Sequence, residues 1–257
     1  MHNMVIFDTE TTSLEKPFCY NIGYVIVTPK WEVLKKREFV VEQIWHNLPL
    51  FNTAYYANKR PLYVTRLRVR DNITMEKFGY ITQKMIRDFE KYDVRAAYAY
   101  NSPFDEKVFN FNCDWFKVIN PFDDVPIFDI RGLVHAFIAE TPAFKKFCDE
   151  HERFTESGNY STTAETLFQY ITGEVDFAEE HTALSDSEIE MQILKKCVEL
   201  GGKIGIPYEA KRSIVRLIPR PFVFKVNGRV IYKGMYIKKY ARNDTYNFTT
   251  QQEELQE

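Results

Sequence analysis

The sequence predicts a mixed α/β fold, and three observations carry that expectation. Apolar runs of strand length alternate with segments whose apolar residues recur at helical spacing. The first three strand-like runs follow one another with only short turns between them, as in an antiparallel meander, before helices begin to alternate with strands. A hairpin signal, Asn227-Gly228, stands apart beyond the last long helix, so a small C-terminal β-hairpin extension is expected.

The elements follow in order. Met4–Asp8 is apolar until it meets acid and reads as the first strand. Tyr20–Val27, rich in β-branched and aromatic residues, is the second, and the turn Thr28-Pro29-Lys30 leads into the third, Glu32–Val41. Residues 42–72 hold an aromatic-rich stretch, Phe51–Tyr56, and then a basic one, Lys59–Arg70. They read as an insertion or a lid. Thr74 is a candidate N-cap, after which Met75, Phe78, Ile81, Met85 and Phe89 recur at helical spacing. Val94–Tyr100 is the next strand. Ser102-Pro103 has the form of an N-cap followed by proline at the first helical position. Pro126–Ile130 is a short strand that runs into a helix, and Thr162-x-x-Glu165 has the form of a capping box. A final long helix spans Thr182 to Leu200 and is stopped by Gly201-Gly202. Phe222–Val226 and Arg229–Tyr232 flank Asn227-Gly228 as hairpin strands, and the polar, acidic last dozen residues are expected to be disordered. This divides the chain into a main domain over 1–202, a basic extension over 203–244 and a tail over 245–257.

With 257 residues, 45% of them hydrophobic, the chain can bury a sizeable core. Its net charge of −2 names no partner, but the distribution does. Residues 203–244 carry eleven Lys/Arg against two acids, whereas the first 202 residues are net acidic. An acidic body with a basic C-terminal segment suits a chain that binds both cations and phosphates; the basic segment could equally be a solvated face or a docking surface for another protein. Four cysteines at 19, 113, 148 and 197 show no C-x-x-C spacing, which argues against a zinc site or a redox pair and for a reducing compartment. Acid at Asp8 and Glu10 leaves no signal-peptide core, and no apolar run reaches the roughly 18 residues of a membrane span. A cytoplasmic protein with no membrane partner is expected.

The acids carry the chemistry. Asp8 and Glu10, two apart at the end of a strand, face the same side, where ligands of open α/β sheets bind. Their repulsion raises a pKa unless a cation relieves it, and oxygen-only ligands favour Mg²⁺ or Mn²⁺. Asp105 falls in the first turn of the helix after Val94–Tyr100, where it either serves a site or complements the helix dipole. Asn101 binds substrate or simply forms the turn. His181 and Asp186 are too far around a helix to converge unless His181 precedes it, with Thr182 as N-cap.

Together, Asp8-x-Glu10-Thr11-Thr12, Asn101-x-x-x-Asp105 and His181-x-Ala183-x-x-Asp186 occur in this order, each at the edge of an element of the right kind. The set resembles the DEDDh branch of the DnaQ-like exonucleases, the family of polymerase proofreading subunits and oligoribonucleases, over roughly residues 3–200. His181 in place of a tyrosine selects the histidine branch. Ser13 stands where the family often has glycine, residues 42–72 match no family element, and 203–257 has no counterpart in a minimal exonuclease domain.

The resemblance implies a ribonuclease-H-like mixed sheet flanked by helices and a site for two divalent cations, Mg²⁺ or Mn²⁺, about 3.5–4 Å apart. It implies that Asp8 bridges both ions, that Glu10 and Asp186 complete the ion holding the attacking water, and that Asp105 serves the other. His181 would take the proton from that water, for which its ordinary pKa near 6.5 suits it. Thr11, Thr12 and Leu14 would meet the terminal nucleotide, although Leu14 could equally pack the loop. Phe104 stacks on the penultimate base or anchors its helix; both readings stand. The expected partner is a nucleic acid with a free 3′ end, single-stranded or mismatched DNA ahead of RNA, and the product a nucleoside 5′-monophosphate. The alternatives are an exoribonuclease with the same chemistry, since no residue declares how a 2′-hydroxyl is read, and a non-catalytic nucleic-acid-binding or accessory protein on the same fold.

Overall fold

A computed structural model describes residues 2–69, 72–226, 229–239 and 246–248, with side chains through Arg216. The body is a six-stranded mixed sheet of order β4-β3-β2-β1-β5-β6. β1 (Asn3–Thr11), β2 (Cys19–Val27) and β3 (Val33–Val41) form the antiparallel meander expected from the sequence. β5 (Val94–Ala99) and β6 (Ile127–Asp129) then add in parallel to β1 and β5.

Within the stretch 42–72, the described residues up to Val69 are largely helical. The stretch holds two single-turn helices, α1 (Glu42–Trp45) and α2 (Leu48–Phe51), a 3₁₀ turn at Ala57–Lys59, and α3 (Arg60–Val69). Its Trp45, Phe51 and Tyr63 are buried in the same core cluster as the sheet residues Tyr20 and Phe39, so it is a packed part of the body. Thr74 is not an N-cap. It lies in β4 (Ile73–Glu76), an edge strand parallel to β3, and the next helix, α4 (Phe78–Lys91), begins only after Lys77. The helical spacing holds from Phe78 onward, and pairing with β3 captures the residues before it, a tertiary choice that local spacing does not register.

α5 (Pro103–Phe116) starts with proline in its first turn as expected, but Ser102 has helical dihedrals and its side chain makes no capping bond. β6 passes directly into α6 (Ile130–Val134), capped by Asp129, and the helix widens into one π turn at His135–Ala139. α7 (Pro142–Glu150), capped by Thr141, carries no signal used above. In the expected capping box, the cap is Thr163 rather than Thr162: its hydroxyl accepts from the Thr166 amide at the start of α8 (Ala164–Thr172). With the cap one residue later, Glu165 turns away to accept from the Glu179 amide. α9 (Ala183–Glu199) ends where expected, with Gly201 at φ +109° and the Gly202 amide donating to the Cys197 carbonyl.

Side-chain parity divides the core. On β1, Val5 and Phe7 join one cluster with α4 and α5, while Met4 and Ile6 join the other with α6, α8 and α9. Helices thus cover both faces. β7 (Leu217–Val226), β8 (Arg229–Lys239) and β9 (Tyr246–Phe248) form a separate antiparallel sheet, one strand more than the expected hairpin. The Asn227-Gly228 turn lies outside the described residues, and so does the expected disordered tail over 245–257 except for Tyr246–Phe248, which form β9. Among those described, no helix is long and apolar enough to cross a membrane.

Candidate active site

The alternation that builds the core also delivers the acids. Asp8 and Glu10 continue the Met4/Ile6 face of β1 and therefore meet α9; Thr9 continues the Val5/Phe7 face and meets α5. Gly23 makes the meeting with α9 possible. It is the cross-strand partner of Asp8 on β2, and a Cβ there would lie 2.1 Å from the Leu184 nitrogen and 2.2 Å from the Ala183 carbonyl carbon. Without that atom the first turn of α9 descends onto the strand, and the Ser187 hydroxyl reaches the Gly23 carbonyl at 3.1 Å. Asp186 comes down with it. Carboxylate oxygens of Asp8, Glu10 and Asp186 lie within 4.8 Å of one another.

Three carboxylates so close do not share a buried site comfortably. At such separations two like charges repel by about 4 kcal/mol at an effective dielectric near 20. Burial first, and then Asp8 with the nearby Glu179, Glu180 and Glu38, push Asp186 up to about 9. Burial raises Asp8 to about 7 against the stabilising Thr9 amide, and burial with Asp8 and Asp186 carries Glu10 well above its ordinary range. One oxygen of Asp186 is buried without a hydrogen-bond partner among the described residues. An unsatisfied buried oxygen on a carboxylate grouped with two others fits an oxygen-coordinated divalent cation.

Asp105 is brought to the same end of the sheet from the other side. It is 3% exposed, accepts the Thr9 hydroxyl at 2.6 Å, and is raised well above its normal value by burial and then by Asp8. It adjoins the three-carboxylate group without belonging to it, because it follows the parity of Thr9. His181 precedes α9 on a left-handed turn with φ 55°, and Thr182 stands at the N-cap position without a side-chain cap. Burial, then Lys59, lowers His181, so the ring is neutral at pH 7. Its face stacks on Tyr56 and its Nδ1 lies 3.6 Å from a Glu179 oxygen.

The remaining candidates lie at or just past the ends of β1 and β5 and in the first turn of α5. Leu14 is 74% exposed, with its carbonyl accepting from Lys107. The Thr11 hydroxyl turns to the Ser13 carbonyl, 3.4 Å away, and Thr12 is buried beneath them. Asn101 adopts φ 62° and its amide donates to Asp129, so it forms the turn before α5. Phe104 is half-buried and packs against the core.

Four neighbours escaped the sequence reading. Thr9 binds Asp105, a role its opposite parity between Asp8 and Glu10 could have suggested. Glu190, one turn after Asp186, is buried near Asp8, Asp105 and Asp186 and accepts the Tyr100 amide at 3.1 Å; its spacing of four was legible. Glu179 and Tyr56 approach His181 from segments without periodic pattern.

No family model and no curated protein matches the chain. Solved structures do. E. coli exonuclease I in complex with a dA16 oligonucleotide aligns with a TM-score of 0.50 at 16% identity, over 77% of this chain and 41% of that one. Another exonuclease I structure gives 0.52 at 16% identity, over 77% and 41%. The nuclease domain of 3'hExo, a DEDDh family member bound to rAMP, gives 0.47 at 14% identity, over 82% and 97%. This chain spans about two fifths of the length of exonuclease I. The likeness to it is one of fold: a ribonuclease-H-like α/β sheet flanked by helices.

Proposed function

We propose that the chain is a metal-dependent 3′-to-5′ exonuclease of the DEDDh type that removes nucleoside 5′-monophosphates from single-stranded or mismatched DNA ends. The observation that carries this reading is the convergence of Asp8, Glu10 and Asp186 around an unsatisfied buried oxygen, with Asp105 alongside. That exonuclease I, of like fold, was crystallised with single-stranded oligodeoxynucleotides supports the choice of substrate. Asp8, Glu10, Asp186 and Asp105 hold two divalent cations, Mg²⁺ or Mn²⁺. Bound there, the cations supply Lewis-acid stabilisation of the attacking and leaving oxygens. His181, neutral at pH 7, takes the proton of the attacking water. Leu14 and Thr11 form the rim that receives the terminal nucleotide, with Thr12 buried beneath it, beside Asn101 and Phe104. The basic stretch 203–244 guides the strand by phosphate contacts that weaken with salt.

With Mg²⁺ or Mn²⁺, a 3′-labelled single strand should release labelled mononucleotide first; full activity in saturating EDTA would sink the metal assignment. Matched RNA oligonucleotides in the same assay test the substrate, and equal or faster turnover of RNA would move the assignment to an exoribonuclease. His181→Ala should slow hydrolysis by about 10²–10⁴-fold while Mn²⁺ affinity, read by calorimetry, stays within about twofold, because the imidazole lies outside the carboxylate group.

A further inference from the structure

We infer that Tyr56, on the helical segment between β3 and β4, is a positioning residue for His181 and fixes the plane of its imidazole beside the carboxylates. The inference rests on the assignment of His181 as the base made above. The two rings stack with centroids 4.2 Å apart and planes 13° from parallel. His181 needs such support. Its left-handed backbone puts it outside α9, where no helical neighbour restrains its rotamers, and its side chain is 27% exposed. Tyr56 occupies one face of the ring, and the Glu179 carboxylate stands 3.6 Å from Nδ1. Glu179 thus stands on the Nδ1 side of the ring, and Nε2 is the nitrogen turned away from it.

Tyr56 is itself held in place. Tyr55 packs edge-on against it at 4.8 Å, and two residues earlier the Thr53 hydroxyl lies 3.4 Å from the Thr12 carbonyl, just past Asp8 and Glu10. Beyond it, α3 is tied to the first turn of α9. The Tyr63 hydroxyl and the Ala183 amide both donate to the Asn21 side-chain oxygen, at 2.9 and 2.8 Å. Arg66 donates to the Thr182 hydroxyl at 3.0 Å and pairs with Glu38 at 2.7 Å. The segment is therefore pinned to the end of β1 and to the first turn of α9, the regions that supply Asp8, Glu10 and Asp186. Burial, then Glu10, with Glu179 and Asp186 further contributing, push the Tyr56 phenol up to about 12, which agrees with a ring set at the edge of the acidic group. With one face already given to His181, Tyr56 is poorly placed to sandwich a base.

The experiment measures hydrolysis of a 3′-labelled oligonucleotide with Mn²⁺ by wild type, Tyr56→Phe, Tyr56→Leu, His181→Ala and the His181→Ala/Tyr56→Leu double variant. Thermal melts and Mn²⁺ titration accompany each. Tyr56→Leu is expected to lower kcat about tenfold with KM changed less than about twofold. Tyr56→Phe, which keeps the ring, should retain the rate within about twofold, and Tyr56→Leu should change nothing further in the His181→Ala background. A Tyr56→Leu variant as fast as wild type overturns the inference and leaves the nuclease assignment intact. An equal loss in both backgrounds also overturns it and makes Tyr56 a substrate contact or a fold element. Full activity in His181→Ala removes the base assignment, and the inference falls with it.

Discussion

Asp186→Asn is expected to abolish nuclease activity, by about 10³-fold, and at the same time to raise the melting temperature of the metal-free protein. The loss corresponds to the several kcal/mol of charge stabilisation that a bound cation provides. The gain follows from proton linkage. Asp186 is raised to about 9 and Asp8 to about 7, from 3.8 in each case. The native state therefore keeps these protons after the unfolded chain has released them. Stability is fully present below about pH 4 and is lost as pH rises through about 7 and then 9. An amide carries no such proton. In EDTA the variant should melt above wild type by a margin that widens between pH 5 and pH 9. Excess Mn²⁺ should close or reverse the margin by binding the native wild-type site. A variant that melts below wild type at pH 8 in EDTA would refute the account of the site as three mutually repelling carboxylates.

Gly23→Ala is expected to destabilise the protein by about 3 kcal/mol or more and to take the activity with it. The new methyl would meet backbone atoms of Ala183 and Leu184 at 2.1 to 2.4 Å, and backbone cannot rotate aside as a side chain can. The first turn of α9 would have to lift from β2. Because Gly23 pairs with Asp8, the lift withdraws Asp186 from Asp8 and Glu10. Denaturant melts and activity should fall together, and Mn²⁺ affinity with them. Normal activity in a well-folded Gly23→Ala protein would show that the spacing between β2 and α9 does not set the site.

The sequence showed the acids more clearly than what surrounds them. Asp8, Glu10, Asp105 and Asp186 stand at element edges that local rules locate well, since a strand ends where its apolar run ends and a helix begins at proline and a cap. Those rules are silent about pairing across long separations. Thr74 lies in an edge strand because β3 offers a ladder to it, and nothing within a few residues of Thr74 records that offer. The helices at 42–69 escaped for a related reason. α1 and α2 are one turn each and α3 buries only Tyr63, so their order comes from aromatic packing onto the sheet rather than from periodicity. Tyr56 was therefore visible only as one ring in an aromatic run. The shift of the α8 cap from Thr162 to Thr163 is of the one-residue size that adjacent equivalent side chains leave undecided.

Asn21 joins the meander to two helices through a single side chain. Its amide group donates to the Phe39 carbonyl while its oxygen receives Tyr63 and Ala183, so one fully buried side chain serves two strands and two helices at once. A lineage that shed the segment bearing Tyr63 would strand part of that oxygen's bonding capacity, and one that replaced Asn21 first would orphan a phenol and an amide in the interior. Positions 21 and 63 should accordingly drift as a pair among descendants of this chain, and shortening the segment should be tolerated only where both have changed.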